Sequence, residues 1–285
     1  MSLPEAPVPA GLASSWNPLK ANEWGLVGAI GIVIVLAIAL DTNHSYWHNP
    51  VDNASRILLR AASVGIIALG ASVVIISGGI DLSVGSTMAF SGTMCALTMY
   101  LLCFWLKSTF DIRIDVQNTE PVGFWIIAAG IFVAILSGFL IGSLHTWLVT
   151  SVGLPPFVAT LATLVGLRSL ARAMVGGVTE IVSGAAVKTQ INVQSPDFRF
   201  LGNDLWVVWA VFLVLAAVIA VLLNWTVLGR HIYAVGGNEQ AARLSGIQTD
   251  GVKWLAYVIG GVTASIAGVL TVAETSVANP QNLGQ

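Results

Sequence analysis

Charge is scarce in this 285-residue chain, 9% Asp, Glu, Lys and Arg, so the places where ionisable groups gather are where chemistry is possible. The stretch Leu228–Gly246, LGRHIYAVGGNEQAARLSG, holds two of the 12 basic residues in 19 positions between two long apolar runs. After a turn at Gly236-Gly237, Asn238 is a good N-cap and Glu239 in the first turn suits the positive helix end. Gln240 to Ser245 can carry one or two helical turns, and Gly246 is a natural stop. So short a helix does not hold itself in water, which calls for membrane-embedded neighbours and a docked partner. Asp81, in GGIDLSVG (78–85), is the only acid between Asp52 and Asp111. An acid between two apolar spans is either a functional group or a helix cap at the membrane edge.

Arg168 and Arg172 stand one turn apart inside an apolar run, so both must face protein, water or headgroups. His44 and His48 share the i, i+4 spacing of metal ligands, but Pro50 is close and no third ligand is evident. They read as exposed loop residues, and no metal site is expected. Cys95 and Cys103 fall in one apolar run and read as small core residues rather than a disulfide or zinc pair. No GxxxxGK[ST] phosphate loop occurs: GAAVKT at 184–189 lacks the glycine before the lysine. Neither an HExxH helix nor a GxSxG elbow is present, so no catalytic centre is expected.

The elements that carry these residues are membrane spans. At 56% hydrophobic the chain departs from soluble domains, which run near 25% charged, and a net charge of −2 gives no footprint for nucleic acid. Seven runs approach the length needed to cross a bilayer: Trp24–Leu40, Ile57–Ile76, Val84–Leu106, Val122–Leu144, Phe157–Val175, Leu205–Leu223 and Trp254–Val272. The fold class is thus an all-α, polytopic transmembrane helical bundle. Gly78-Gly79 break a helix, and Gly138 and Gly142 form a GxxxG close-packing pair. Gly260, Ala264 and Gly268 form a second seam, and Pro155-Pro156 open a span where a missing N–H is harmless. His145 closes the fourth span as an interface residue. Residues 107–121 and 177–203 read as polar loops. Residues 1–23, with four prolines and no basic start, read as a tail rather than a secretory signal.

GRHIYAVGGNEQAARLSGI, GGIDLSVG and LPPFVATL (154–161) together resemble the permeases of ABC-type importers of simple sugars, the ribose, xylose and galactose branch. The match covers residue 50 or so to the last residue. The resemblance implies a ten-span fold with a transmembrane permease domain over 24–285, preceded by a cytoplasmic tail at 1–23. It makes 228–253 the cytoplasmic coupling loop, with Gly236, Gly237, Asn238, Glu239, Ala242, Arg243 and Gly246 engaging an ATPase subunit. Gly79, Asp81, Ser83, Arg168 and Arg172 become candidates for the substrate path or its gating. Implied partners are the ABC ATPase, an extracytoplasmic sugar-binding protein, a second permease copy and membrane lipid, without nucleic acid. This chain itself would bind no cofactor, and ATP and Mg would be used by the ATPase.

The implied location is the bacterial inner (plasma) membrane, with the amino terminus cytoplasmic. The charge rule does not decide this: Lys20, Arg230, Arg243 and Lys253 would lie inside, against Arg56, Lys107, Arg113, Lys188 and Arg199 outside. Members of the family continue for about three more spans than this chain, so a fragment or a short form is expected. Glu274 stands where the family commonly has a basic residue. Related permeases for autoinducers or branched-chain amino acids are alternatives. A secondary transporter would want carboxylates at mid-membrane, and the spans hold almost none.

Overall fold

The computed structural model describes residues 21–41, 49–110, 115–183 and 189–281. Most of the tail, with Lys20, His44, His48, Asp111, Arg113 and Lys188, lies outside these ranges. The chain divides into two units, Met1–Ala54 and Ser55–Gln285. The first carries α1 (Ala21–Leu40), whose apolar stretch Val27–Leu40 is short for a crossing. The second carries α2 (Pro50–Ile76, which starts at the junction), α3 (Val84–Phe110), α4 (Phe124–Thr150) and α5 (Pro156–Ser183). It continues through β1 (Ile191–Asn192), α6 (Pro196–Asn203), α7 (Leu205–Trp225) and α8 (Val227–Gly237). It ends in α9 (Glu239–Leu244), α10 (Thr249–Thr275) and β2 (Val277–Ala278). Among the described residues six helices, α2 to α5, α7 and α10, are long and apolar enough to cross a membrane. This is an all-α, multi-pass membrane protein.

The helices overrun the apolar runs that announce them, and three readings change as a result. The run ending at Val175 continues as α5 to Ser183, because Val178 and Val182 still pack on the core. Within the supposed loop 177–203, Pro196 begins α6, which buries Phe198 and Gly202. Gly236-Gly237 are not a turn but the last residues of α8, whose side chains Ile232 and Val235 are buried.

The body of the bundle is α3, α4 and α10, each packed on the other two. Lipid is as apolar as leucine, so this association rests on close approach and polar contacts rather than on hydrophobic burial. Gly138 faces Gly261, and a Cβ on Gly142 would meet the backbone of Tyr257 and Val258. The seam on α10 serves two neighbours: Gly260 approaches Gly70 on α2, and Gly268 lies against Met88 and Gly92 on α3. At the centre Ser137 and Ser265 place their Oγ atoms 2.8 Å and 3.1 Å from Ser91 Oγ, tying all three helices.

One end of the bundle is closed by pairing between distant segments. β1 and β2 are antiparallel, with Ile191 opposite Ala278. Gln194 N–H donates to the Val116 carbonyl, and Val122 N–H donates to Ser195 Oγ. Val116, Val122, Ile191, Val193 and Phe198 are buried beneath this cap. The opposite, near end carries the turns after α2 and α4 and the segment α8–α9.

Close approach makes α4 intolerant of even one methyl. Gly142→Ala is expected to destabilise the detergent-purified chain by about 1–3 kcal/mol, as overpacking does. Gly166→Ala on α5, where a Cβ meets nothing within 4 Å, should be neutral or slightly stabilising. Thermal unfolding followed by size exclusion checks the pair.

Candidate functional site

Three turns meet at the near end, and each is built by its own sequence. Gly78 (φ 80°), Gly153 (φ 77°) and Gly246 (φ 84°) supply the left-handed conformation that reverses the chain. At the end of α2, Gly78 N–H donates to the Ile75 carbonyl and Gly79 N–H to that of Val74. The same double bond ends α9: Gly246 N–H to Arg243 and Ile247 N–H to Ala242. These Schellman motifs satisfy carbonyls that lipid or a partner surface would leave orphaned. At the start of α9, Asn238 is the N-cap, its Oδ1 accepting from Ala241 N–H at 3.0 Å.

Glu239 and Arg243 bind α10. Glu239 Oε1 lies 2.7 Å from Lys253 Nζ and 3.5 Å from Arg243 Nη2. The same Nη2 donates to Thr249 Oγ1 at 2.9 Å and lies 3.5 Å from Asp250 Oδ1. With Ala242 buried, α9 lies on its neighbours by one face and turns the other outward. Leu244 is 90% exposed on that outer face, in a loop between spans rather than in an apolar run. It was absent from the residues picked out by sequence, though an isolated leucine in so polar a segment was the available signal.

α8 reaches the first turn through Gly236, where a Cβ would run into the carbonyl of Ile76. A cavity of about 480 Å³ opens beside this contact, lined by Ser77–Gly79, the turn Gly153–Pro156, Val235–Glu239, Lys253 and Tyr257. All three motif stretches therefore contribute to one place.

Beyond Gly79 the chain folds a polar knot. Asp81 Oδ1 accepts from Ser83 N–H at 2.8 Å and from Ser83 Oγ–H at 2.6 Å, just ahead of α3. Ser83 Oγ is 3.3 Å from His145 Nε2 on α4, and that nitrogen is 2.7 Å from Thr163 Oγ1 on α5. Tyr257 of α10 lies beside the imidazole and donates its hydroxyl to the Ile80 carbonyl at 3.3 Å. Ser83 and His145 are fully enclosed. His145 is thus no interface residue but the centre of the cluster, a role the sequence hinted at only through an ionisable group inside an apolar run.

Gly79, Asp81 and Ser83 are brought together, but Arg168 and Arg172 are not with them. They lie five and nine residues beyond Thr163, so about 8 and 14 Å further along α5. Arg168 is half-buried and Arg172 is exposed, one turn apart as their spacing requires. Among the described residues no three His, Cys, Asp or Glu side chains converge as metal ligands.

The described residues thus form a multi-pass helical protein with a short braced helix at one end. Residues 53–285 match the family described as branched-chain amino acid transport system, permease component, and the chain belongs to that family. It is 29% identical to the galactofuranose transporter permease protein YtfT of Escherichia coli K12, over 97% of this chain and 75% of that protein. It is 30% identical to the ribose import permease protein RbsC of the same organism, over 88% of this chain and 70% of the relative. The fructose import permease protein FruF of Bifidobacterium longum is 29% identical, over 94% of this chain and 70% of its own length. No solved structure gives a significant match.

The caps of α9 are directly testable. Asn238→Ala removes one bond to the first turn at a cost of about 1 kcal/mol, so amide exchange across 239–244 should quicken roughly fivefold. Exchange within α10 should not change, and mass-spectrometric hydrogen exchange reads both segments.

Proposed function

We propose that this chain is the permease subunit of a binding-protein-dependent ABC importer for a simple sugar. The observation that carries the reading is α9, capped at both ends, held to α10 and offering Leu244 to a partner. The sugar assignment follows the ribose, galactofuranose and fructose permeases that the chain resembles. In this reading α9 docks on a separate ATPase subunit, which holds ATP and Mg and does the hydrolysis. The near end then faces the cytoplasm of a bacterium, and the β1–β2 cap faces outward to meet a sugar-loaded binding protein. Two permease copies enclose the path.

The brace divides labour among the coupling residues. Glu239, Ala242 and Arg243 fix the helix on Lys253, Asp250 and the α8–α10 groove, while Leu244 and Gln240 are free to make the contact. Leu244, 90% exposed between Arg243 and Ser245, offers apolar area whose removal from water favours any surface that covers it. Nucleotide-bound and nucleotide-free ATPase then differ in how they hold α9, and that difference in affinity moves the spans between inward and outward states.

Co-expression of the tagged chain with its ATPase and binding-protein subunits tests this. Leu244→Asp is expected to lower recovery of the ATPase by about tenfold or more, since burying a leucine side chain is worth about 1.5–3 kcal/mol. Glu239→Ala with Arg243→Ala should weaken recovery less, because caps and Ala242 still hold α9. Membrane insertion should survive both changes. A wild-type chain that inserts and captures no ATPase overturns the reading, and sugar uptake in vesicles separates ribose, galactofuranose and fructose.

A further inference from the structure

The polar knot at His145 joins two hydroxyls from different helices through one ring nitrogen. Ser83 Oγ donates its hydrogen to Asp81 Oδ1. Thr163 Oγ1 donates to a carbonyl of its own helix, Thr160 at 3.0 Å or Ala159 at 3.2 Å. Nε2 of His145 lies within hydrogen-bonding distance of both oxygens, and the tautomer decides which partner donates. The nearer, at 2.7 Å, is on α5. His145 is thus one ring nitrogen placed between the turn that precedes α3 and the near half of α5.

α5 is the helix for which such a tie matters. It packs chiefly on α3, meets α4 along a short stretch only, and leaves Phe157, Val158, Leu161 and Val165 exposed. Its first residues, Pro155 and Pro156, look across the 480 Å³ cavity at the α8–α9 junction rather than packing against it. The packed connection from α8 to α5 runs elsewhere. Gly236 sits on the Ile76 carbonyl, the turn 77–83 continues to Asp81 and Ser83, and Ser83 reaches Thr163 through His145.

We propose that His145 is a positioning residue for transport, its Nε2 clamping α5 to the Asp81–Ser83 turn so that movement of α8 and α9 is passed to α5. This rests on the importer reading above. Moving α8 shifts the backbone at 76–78, and the hydrogen-bonded turn shifts with it because Asp81 holds Ser83 by two bonds. A helix hung on that turn by a buried polar bridge follows; one that has lost the bridge lags behind. Coupling carried this way is a free-energy difference between two arrangements, so its loss reduces sugar moved per ATP rather than hydrolysis itself.

The test uses the complete complex of permease, ATPase and binding protein in vesicles, with ATP hydrolysis and sugar uptake measured on the same preparation. In His145→Leu, hydrolysis stimulated by binding protein should stay within about twofold of wild type, while sugar moved per ATP falls about tenfold. His145→Gln, whose side-chain amide can donate or accept, should restore much of the loss. Thr163→Val should reproduce His145→Leu, and the double variant should be no worse than either, as expected of two ends of one interaction. Unchanged sugar per ATP in His145→Leu overturns the proposal. So does a parallel fall of both activities with the amount of complex recovered, which marks a folding role. Should His145→Leu fail to assemble, Thr163→Val and Ser83→Ala decide by the same two readouts. A wild-type complex that neither assembles nor hydrolyses ATP in response to binding protein is instead a failure of the importer reading.

Discussion

Most of the larger unit is fastened to α10, and close backbone approach is what lets its neighbours reach it. Lipid gives a helix no reason to hide leucines, so contact distance and polar bonds decide what packs. Two-thirds of the apolar window of α10 is buried. Gly260, Gly261 and Gly268 let α2, α4 and α3 approach it from three sides. Its first turns hold α9 through Asp250 and Lys253, and its middle supports the turn at Ile80 through Tyr257. Its last turn receives Asn203 of α6, whose Nδ2 donates to the Ala273 carbonyl, before β2 closes the far end. One helix thereby spans the distance between α9 and the β cap.

Hydroxyl groups show which joints are fixed and which are not. Most Ser and Thr in the spans bond a carbonyl of their own helix, as Thr93, Thr98, Thr146 and Thr271 do. Such groups are satisfied and join nothing. Buried chains of polar side chains that cross between helices are the exceptions. Ser91, Ser137 and Ser265 join α3, α4 and α10, which glycines already hold in contact, so that joint is rigid. Asp81, Ser83, His145 and Thr163 instead reach α5, which has few other ties to α4. A polar joint matters most where packing is thinnest.

What the sequence made legible is what is local. Span positions follow from runs of apolar residues, and Asn238 and Gly246 follow from capping rules that involve neighbours three to five residues away. Gly138 and Gly142 follow from a four-residue step. The features that escaped are those whose partners are remote. β1 pairs with a strand 86 residues later, counting from Ile191 to Val277, and α6 is short and polar until Phe198 finds its place in the core. α5 outruns its apolar run because its later valines meet α3. His145 looked like an interface residue because depth is invisible in sequence, and its partners Ser83 and Thr163 stand 62 and 18 positions away. The separation of Arg168 and Arg172 from Gly79, Asp81 and Ser83 was equally invisible, since only the rise of α5 sets that distance.

The six residues of α9 are too few to fold alone. Exposed ion pairs add only about 0–1 kcal/mol each, so the network around Glu239 and Arg243 cannot be its main support. What holds α9 is its two caps and one small side chain: Asn238 Oδ1 at one end, the Gly246 motif at the other, and Ala242 pressed between α8 and α10. All three attachments lie within a few residues of α8 or α10, and Lys253 and Asp250 are themselves part of α10. Moving α9 separately would therefore break these attachments. Gly236 and Tyr257 in turn connect α8 and α10 to the turn that carries Asp81 from two directions.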